Sequence, residues 1–587
     1  MHFLHLVALL SIVHSVVIAH DHSTGHHSRH QTRSNKKPNF VFILSDDQDY
    51  EMGSLDYMPL LKKHITQHGT SFERHFVTTA QCCPSRSSLW TSKATHNTNV
   101  TDVHAPNGGW QKFVKMGWNE RYLPIWLSQE YNTYYTGKFQ NGMAVNTYGK
   151  DKEHAYMKGW TSFSWTLTYI RQYSTDVIRD KGLKYINDAH KAGKPFFVGI
   201  APVGPHVRTQ AGKGEEHTPQ PAKRHEHMFP NATVPRTPNF NPAKASGGGW
   251  VQKLERQSAE NVASNDLFYR RRLQALQAVD ELVEAVVQRL EKLKLLDNTY
   301  IFFSSDNGFH IGQHRLQPGK GCAYETDVHV PMMIRGPGVK AGERVMVPTT
   351  HIDVVPTIFS LAGITLRNDF DGTPMPLGQI GSDGDPRARH EHVGIEFWGD
   401  VASEGKFSHR DGKPVNTYKS LRIISDGDYS LSYTVWCTGD HELYDMSSDH
   451  TQMHNLVSSN GPAADAIIQV GGQRYPVKKV RDRLDAVVQA VKRCEGAACI
   501  KPWATLHPQG DVKTLRDAMA AKYDLFYDNQ VKMKFDKCMA AYHPSNEGAL
   551  PAAFHSSNND EGDGNGKQKD TRQEASLSLD TQAGEDA

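Results

Sequence analysis

The chain has 587 residues, 38% hydrophobic and 22% charged, enough apolar material for a large core divided between two domains. Its 66 basic and 64 acidic residues leave a net charge of +2. That balance supplies no global field toward nucleic acid or an anionic membrane surface.

Phe3 to Ala19 (FLHLVALLSIVHSVVIA) is apolar and ends in small residues, the pattern of a secretory signal over 1–19. A membrane anchor is the alternative. The run is short for one and lacks a basic stop-transfer flank, so secretion without stable membrane insertion is expected. The polar segment 20–37 (from His20, HDHSTGHHSRHQTRSNKK) reads as disordered rather than as a metal site. Secretion would make Asn99-Val100-Thr101 and Asn231-Ala232-Thr233 N-glycan acceptors.

Asn39 to Leu44 is a nearly continuous apolar run ending at Ser45-Asp46-Asp47. It reads as a strand buried on both faces of a parallel sheet, with carboxylates at its C-terminal end. Tyr131 to Thr136, closed by Gly137-Lys138, and Pro195 to Ile200 read as further strands. So does Thr299 to Ser304, which runs into Ser305-Asp306-Asn307-Gly308. Tyr173 to Ala189 and Thr357 to Ala362 read as helices. Leu273, Leu276, Val279, Leu282, Val286, Leu290 and Leu293 form one apolar helical face. Strands alternating with helices argue an α/β sheet whose ligand site lies at the strand C-terminal ends. After about Leu377, short strands (Ser420 to Ile424, Ser430 to Val435) and a helix (Val480 to Arg493) suggest a smaller antiparallel module over 378–543. From Pro544 onward few apolar residues remain, and 544–587 is expected to be a disordered tail.

Seven cysteines are present. Cys494 and Cys499 are spaced to close a small loop. If Cys82 is consumed by modification, the six others could pair fully. Cys82-Cys83-Pro84-Ser85-Arg86-Ser87-Ser88 reads as a helix start, with Pro84 in its first turn and Cys82 at the anion-binding N-terminus. Arg86 lies about one turn on. Taken alone, the same residues fit a disulfide or a buried thiol pair equally well. Asp46-Asp47 and Asp306-Asn307 offer oxygen donors to a hard cation, with Asp49 as a rival ligand. An all-oxygen shell argues against zinc.

In chain order, FILSDDQ, CCPSRSSLWTSK, TGKFQNG, PFFVGIAPVGPH, SSDNGFHIGQHRL, PGKGCAYETDVHVPMMIRGPG and HIDVVPTIFSLAGI resemble the successive blocks of the formylglycine-dependent sulfatases. The doubled cysteine and SLWTSKATHNTNVTDV are similar to fungal arylsulfatase, in the branch that includes glucosamine-6-sulfatase. The resemblance implies an alkaline-phosphatase-like α/β sandwich, with a large, mostly parallel sheet over 38–377 and the smaller module behind it. It implies that a formylglycine-generating enzyme oxidises Cys82 to the aldehyde 3-oxoalanine. One hydroxyl of the hydrated aldehyde would attack sulfur, and the other would lose a proton as sulfate is expelled. It further implies that Asp46, Asp47, Asp306 and Asn307 bind Ca²⁺, or Mg²⁺, together with the modified Cys82. Arg86, Lys138, His206 and Lys320 would bind sulfate and move protons.

The chain departs from the family pattern at two positions. Ser92 stands where many members have glycine after the signature, which bears on how completely Cys82 is modified. Gln140 stands where many have histidine, and glutamine cannot act as a general acid. Gln140, His310 and His314 are carried as candidate substrate contacts. The expected activity is aryl sulfate hydrolysis. A glycan 6-sulfatase, a phosphonate or phosphodiester hydrolase, and a silent sulfated-glycan-binding protein are the alternatives.

Overall fold

The computed structural model describes residues 36–143, 159–162, 172–207, 218–377, 390–408, 415–458 and 466–554. The expected signal, nearly all of the segment 20–37, and the tail from 555 lie outside the described residues.

Among the described residues, eight strands make the main sheet: β1 Asn39–Ser45, β2 Thr70–Phe72, β3 Asn132–Gly137, β4 Gly159–Ser162, β5 Phe196–Ala201, β6 Thr299–Ser305, β7 Met332–Arg335 and β8 Glu343–Val345. Their order is β8-β2-β7-β6-β1-β5-β3-β4. From β6 to β4 every pairing is parallel. Strand β7 runs antiparallel to both β6 and β2.

β1 shows why the sheet sits centrally. Phe40, Phe42 and Leu44 point to one face and Val41 and Ile43 to the other, and all are buried in separate apolar clusters. Burying each of these side chains is worth roughly 1.5–3 kcal/mol. Helices α1 (Cys82–Thr91) and α4 (Val354–Ala362) cover the first face, where Trp90 stands edge-on to Phe42 at 5.2 Å. Helices α2 (Ser174–Ala192) and α3 (Ala259–Lys292) cover the second. The Ser258 hydroxyl caps α3 by accepting from the Asn261 amide at 3.2 Å. The predicted stripe Leu276, Val279, Leu282, Val286 and Leu290 faces Val41, Ile43 and Ile301.

A second sheet is an antiparallel meander of β9 His392–Phe397, β10 Tyr418–Ser425, β11 Tyr429–Trp436 and β12 His441–Asp445. Helix α5 (Val477–Val491) packs on it through Val480, Leu484, Val487 and Val488. Cys494 pairs with Cys499 as expected, and Cys437 pairs with Cys538. Full pairing of the six remaining cysteines is not found, because Cys83 and Cys322 are buried as separate thiols.

Residues 544–554, expected to belong to the disordered tail, are described and make buried polar contacts. The Lys492 ammonium donates to the carbonyls of Glu547 at 2.6 Å and Ala549 at 2.7 Å, and Trp398 Nε1 donates to the Glu547 carboxylate at 3.0 Å. Polar backbone that meets a buried donor is ordered without apolar side chains of its own.

Candidate active site

The central parallel strands release the candidate residues in sheet order. β6 ends at Asp306-Asn307, β1 at Asp46-Asp47, the loop after β5 carries His206, and β3 is followed by Lys138. Gly137 is required at that last turn: its φ is +101°, and an added Cβ would stand 2.0 Å from the Ala201 carbonyl oxygen. Asp47 is held at φ +64°, an unusual conformation for a non-glycine residue. Helix α1 begins at Cys82 above these strand ends, and all ten of its residues are buried. Lys320 arrives on a two-residue strand, Gly319–Lys320, paired antiparallel with Ala402–Ser403.

Cys82 Sγ lies 3.6 Å from Asp46 Oδ1, 3.8 Å from Asp47 Oδ1 and 3.3 Å from Lys320 Nζ. Lys320 also donates to Asp47 Oδ1. Lys138 Nζ is 3.0 and 2.7 Å from the two oxygens of Asp46. Arg86 Nε donates to Asp306 Oδ2 at 2.8 Å, and its Nη1 donates to the Lys138 carbonyl. His206 Nε2 faces Asp47 Oδ2 at 3.6 Å, and its Nδ1 is 2.7 Å from the Val207 carbonyl.

Burial alone would raise the Asp46 and Asp47 carboxyls. Lys138, His206, Arg86 and Lys320 overcome it at Asp46, and Lys320 and His206 at Asp47, so both stay below the ordinary range. At Asp306 burial and the neighbouring Asp46 outweigh Arg86, and the carboxyl is raised. Burial pushes the Cys82 thiol well up, which makes it a poor nucleophile as cysteine.

The donor set fits a hard divalent cation. Among the described residues, Asp47 Oδ2 and Asn307 Oδ1 are buried and accept no hydrogen bond, and Asp46 Oδ2 is ion-paired with Lys138. Asp46, Asp47, Cys82 and His206 offer ligand atoms within 4.8 Å of one another. Asp49 does not belong to the set. Its Oδ1 takes Arg272 Nη2 at 3.0 Å, and its Oδ2 accepts from the Ser54 amide at 3.4 Å.

The three candidate substrate contacts each have partners within the protein. Gln140 Nε2 donates to Ser87 Oγ at 3.0 Å and to the Cys83 carbonyl at 3.2 Å, bracing the first turns of α1. His314 bonds Ser246 at 2.8 Å and stacks on Tyr324, and burial pushes its pKa down to about 3. His310 is buried with Nδ1 at 2.8 and 2.9 Å from the Asp327 carboxylate. Of the two sequons, Asn231 is exposed and Asn99 half-buried. The sequence reading missed two residues. Arg272 also donates to the Asp47 carbonyl at 2.5 Å. Glu404, its amide bonded to the Pro318 carbonyl at 2.6 Å, interacts electrostatically with Lys320, His206 and Asp47. Neither sits in a motif; only the pairing of 402–403 with 319–320 brings Glu404 in.

Residues 38–364 match the family described as sulfatase. The chain belongs to the sulfatase family. This sulfatase is 35% identical over 563 residues to an arylsulfatase of Volvox carteri, a match covering 88% of this chain and 83% of that one. It is 32% identical over 478 residues to the N-acetylglucosamine-6-sulfatase of Homo sapiens, covering 73% and 82%. It shares its fold, at TM-score 0.55 and 21% identity, with a structure described as bound to its substrate D-glucosamine-2-N,6-O-disulfate, over 72% of this chain and 94% of that one. A phosphonate monoester hydrolase from Silicibacter pomeroyi has the same fold at TM-score 0.52 and 18% identity, over 72% and 92%. The sulfatase is a sulfuric ester hydrolase.

Proposed function

We propose that the protein is a secreted arylsulfatase that uses Cys82 oxidised to formylglycine and Ca²⁺ held by Asp46, Asp47, Asp306 and Asn307. The observation that carries this reading is the position of Cys82 Sγ, at the start of α1 and within 3.3–3.8 Å of Lys320, Asp46 and Asp47. Sγ stands in for the carbon-bound oxygen of the hydrated aldehyde. That hydrate supplies one hydroxyl to attack sulfur and another whose deprotonation lets sulfate leave. A bound divalent cation would draw charge from the sulfonate oxygens and favour the deprotonated nucleophile.

The protein's own groups divide the remaining work. The Val207 carbonyl only accepts, so His206 Nδ1 holds a proton and Nε2 is the nitrogen turned toward the cleft and Asp47 Oδ2. His206 is thereby a base for the hydrate. Lys320 and Lys138 present ammonium groups to the sulfate, and Lys320, nearest to Sγ, is placed to give a proton to the leaving oxygen. Arg86 is a positioning residue that fixes Asp306 and the end of β3. The apolar run Phe3 to Ala19 supports secretion.

The test is peptide mass spectrometry across Cys82 on secreted protein, with kcat/KM for an aryl sulfate, a sugar 6-sulfate and an aryl phosphonate. We expect aldehyde at Cys82, loss of turnover in Cys82→Ala, partial activity in Cys83→Ala and preference for the aryl sulfate. Fully active protein with an unmodified thiol would refute the mechanism. Preference for the sugar sulfate or the phosphonate would replace the substrate.

A further inference from the structure

Away from the catalytic cleft, four donor side chains from separate stretches of the chain meet. Glu51 lies in the turn after β1, Glu325 and His329 sit on the one-turn helix Glu325–Val328 and its end, and His450 lies in the turn after β12. Glu51 Oε1 is 2.6 Å from His329 Nδ1, and Glu51 Oε2 is 2.7 Å from His450 Nε2. Glu325 Oε2 is 3.7 Å from the same His329 nitrogen. Ligand atoms of Glu51, Glu325 and His329 all lie within 4.8 Å of one another.

The orientation of His329 is what makes this more than an ion pair. Its Nε2 is 2.9 Å from the Glu73 carbonyl. A carbonyl only accepts, so Nε2 holds its proton and Nδ1 is the nitrogen turned to the carboxylates. Metal-ligating imidazoles are held in that way, with the far N–H on a carbonyl or carboxylate. Tyr50 and Phe76 flank the ring, with centroids 4.2 and 5.0 Å away. Glu325 Oε1 is occupied by Arg422 Nε at 2.7 Å, which leaves Oε2 for the cluster. Gln452 accepts from the Glu325 amide at 2.9 Å and anchors the turn that carries His450. The His450 side chain is 59% exposed, which gives a cation a way in.

We propose that Glu51, Glu325, His329 and His450 form a second cation site, separate from the catalytic centre, that takes Zn²⁺. Two imidazoles with two carboxylates suit zinc, whereas the oxygen-rich catalytic set suits calcium. Without metal, Glu51 accepts a hydrogen bond from each imidazole, so the cluster stores a proton on His329 Nδ1 and another on His450 Nε2. Zinc binding breaks those two N–H bonds, forms two Zn–N bonds and releases both protons to water. One Zn²⁺ replaces two positive charges, so the net charge among Glu51, Glu325 and Arg422 is unchanged. The other charged or titratable groups packed here are Tyr50, Glu73 and Arg344, which bond one another. The Glu51 hydrogen bond, against partial burial, pushes His450 up to about 9. Zinc therefore competes with protons and binds more tightly as pH rises.

The test uses the full chain with calcium in excess to saturate the catalytic ligands. Wild type, Glu51→Gln and His450→Ala are dialysed against micromolar ZnCl₂, and zinc is counted by mass spectrometry. Zinc held by the histidines between His20 and His30 is common to all three and cancels in the difference. Wild type should retain about one zinc per chain more than either variant, with affinity at least about tenfold higher. Zinc should also raise the melting midpoint of wild type alone. Equal zinc content and equal midpoint shifts in all three proteins would overturn the site. Should Glu51→Gln fail to fold, the exposed His450→Ala decides the matter by itself.

Discussion

Glu404 shows how much one side chain adds to a site built from motifs. Burial raises its carboxyl despite Lys320 and His206 nearby, and its Oε2 is buried without a hydrogen bond. A carboxylate beside an ammonium stabilises the charged form of the ammonium, so removing it lowers the pKa of that ammonium. Glu404→Gln should therefore move the alkaline limb of the kcat/KM–pH profile to lower pH, by up to about one unit. A profile identical to wild type would mean that Glu404 only packs. The residues that did carry a sequence signal were those following buried strands. Asp46, Asp47, Lys138, His206 and Asp306 converge because neighbouring parallel strands end on one edge. Gln140, His310 and His314 lie in the same motifs but turn toward Ser87, Asp327 and Ser246. Position along a motif says nothing about which way a side chain points once the backbone leaves the strand.

At the scale of elements, the strands and helices with strong apolar patterning were legible, because β1, β3, β5 and β6 are buried runs and α3 carries a long stripe. The antiparallel course of β7 was not, since a short apolar run such as Met332 to Ile334 has no direction in its composition. The end of α1 explains the serine at 92. It occupies the left-handed position closing the helix, at φ +54°, where glycine is favoured, and its hydroxyl donates to the Ile352 carbonyl at 2.7 Å. Ser92→Ala keeps the strained backbone and loses the hydrogen bond, a cost of about 1 kcal/mol. Ser92→Gly loses the same bond but relieves roughly 1 kcal/mol of left-handed strain. The expected order of melting midpoints is wild type close to Gly, with Ala below both. Equal losses in Ala and Gly would show that backbone strain at 92 is negligible.

Across the whole molecule, the link between the main sheet and the antiparallel module runs through buried polar groups that composition does not reveal. His96 follows α1. Its amide and Nδ1 lie 2.7 and 2.8 Å from Glu396 Oε1 on β9, and its Nε2 is 2.8 Å from the Cys494 carbonyl. Lys419 on β10 reaches the same carboxylate at 2.7 Å. Both ring nitrogens of His96 face oxygens, so the linkage is made by an imidazolium. Burial would lower its pKa, but the charge and hydrogen bond of Glu396 raise it above the ordinary histidine value. A raised histidine pKa gives stability that is complete below the unfolded-state value and is lost as pH climbs through the folded-state value. Replacing His96 with Gln should therefore cost more stability at about pH 6 than at about pH 9. Thermal midpoints of both proteins, with calcium held constant, measure this. A difference between them that stays the same across that range would mean His96 is neutral in the folded protein and joins the two sheets by shape and neutral hydrogen bonds rather than by charge.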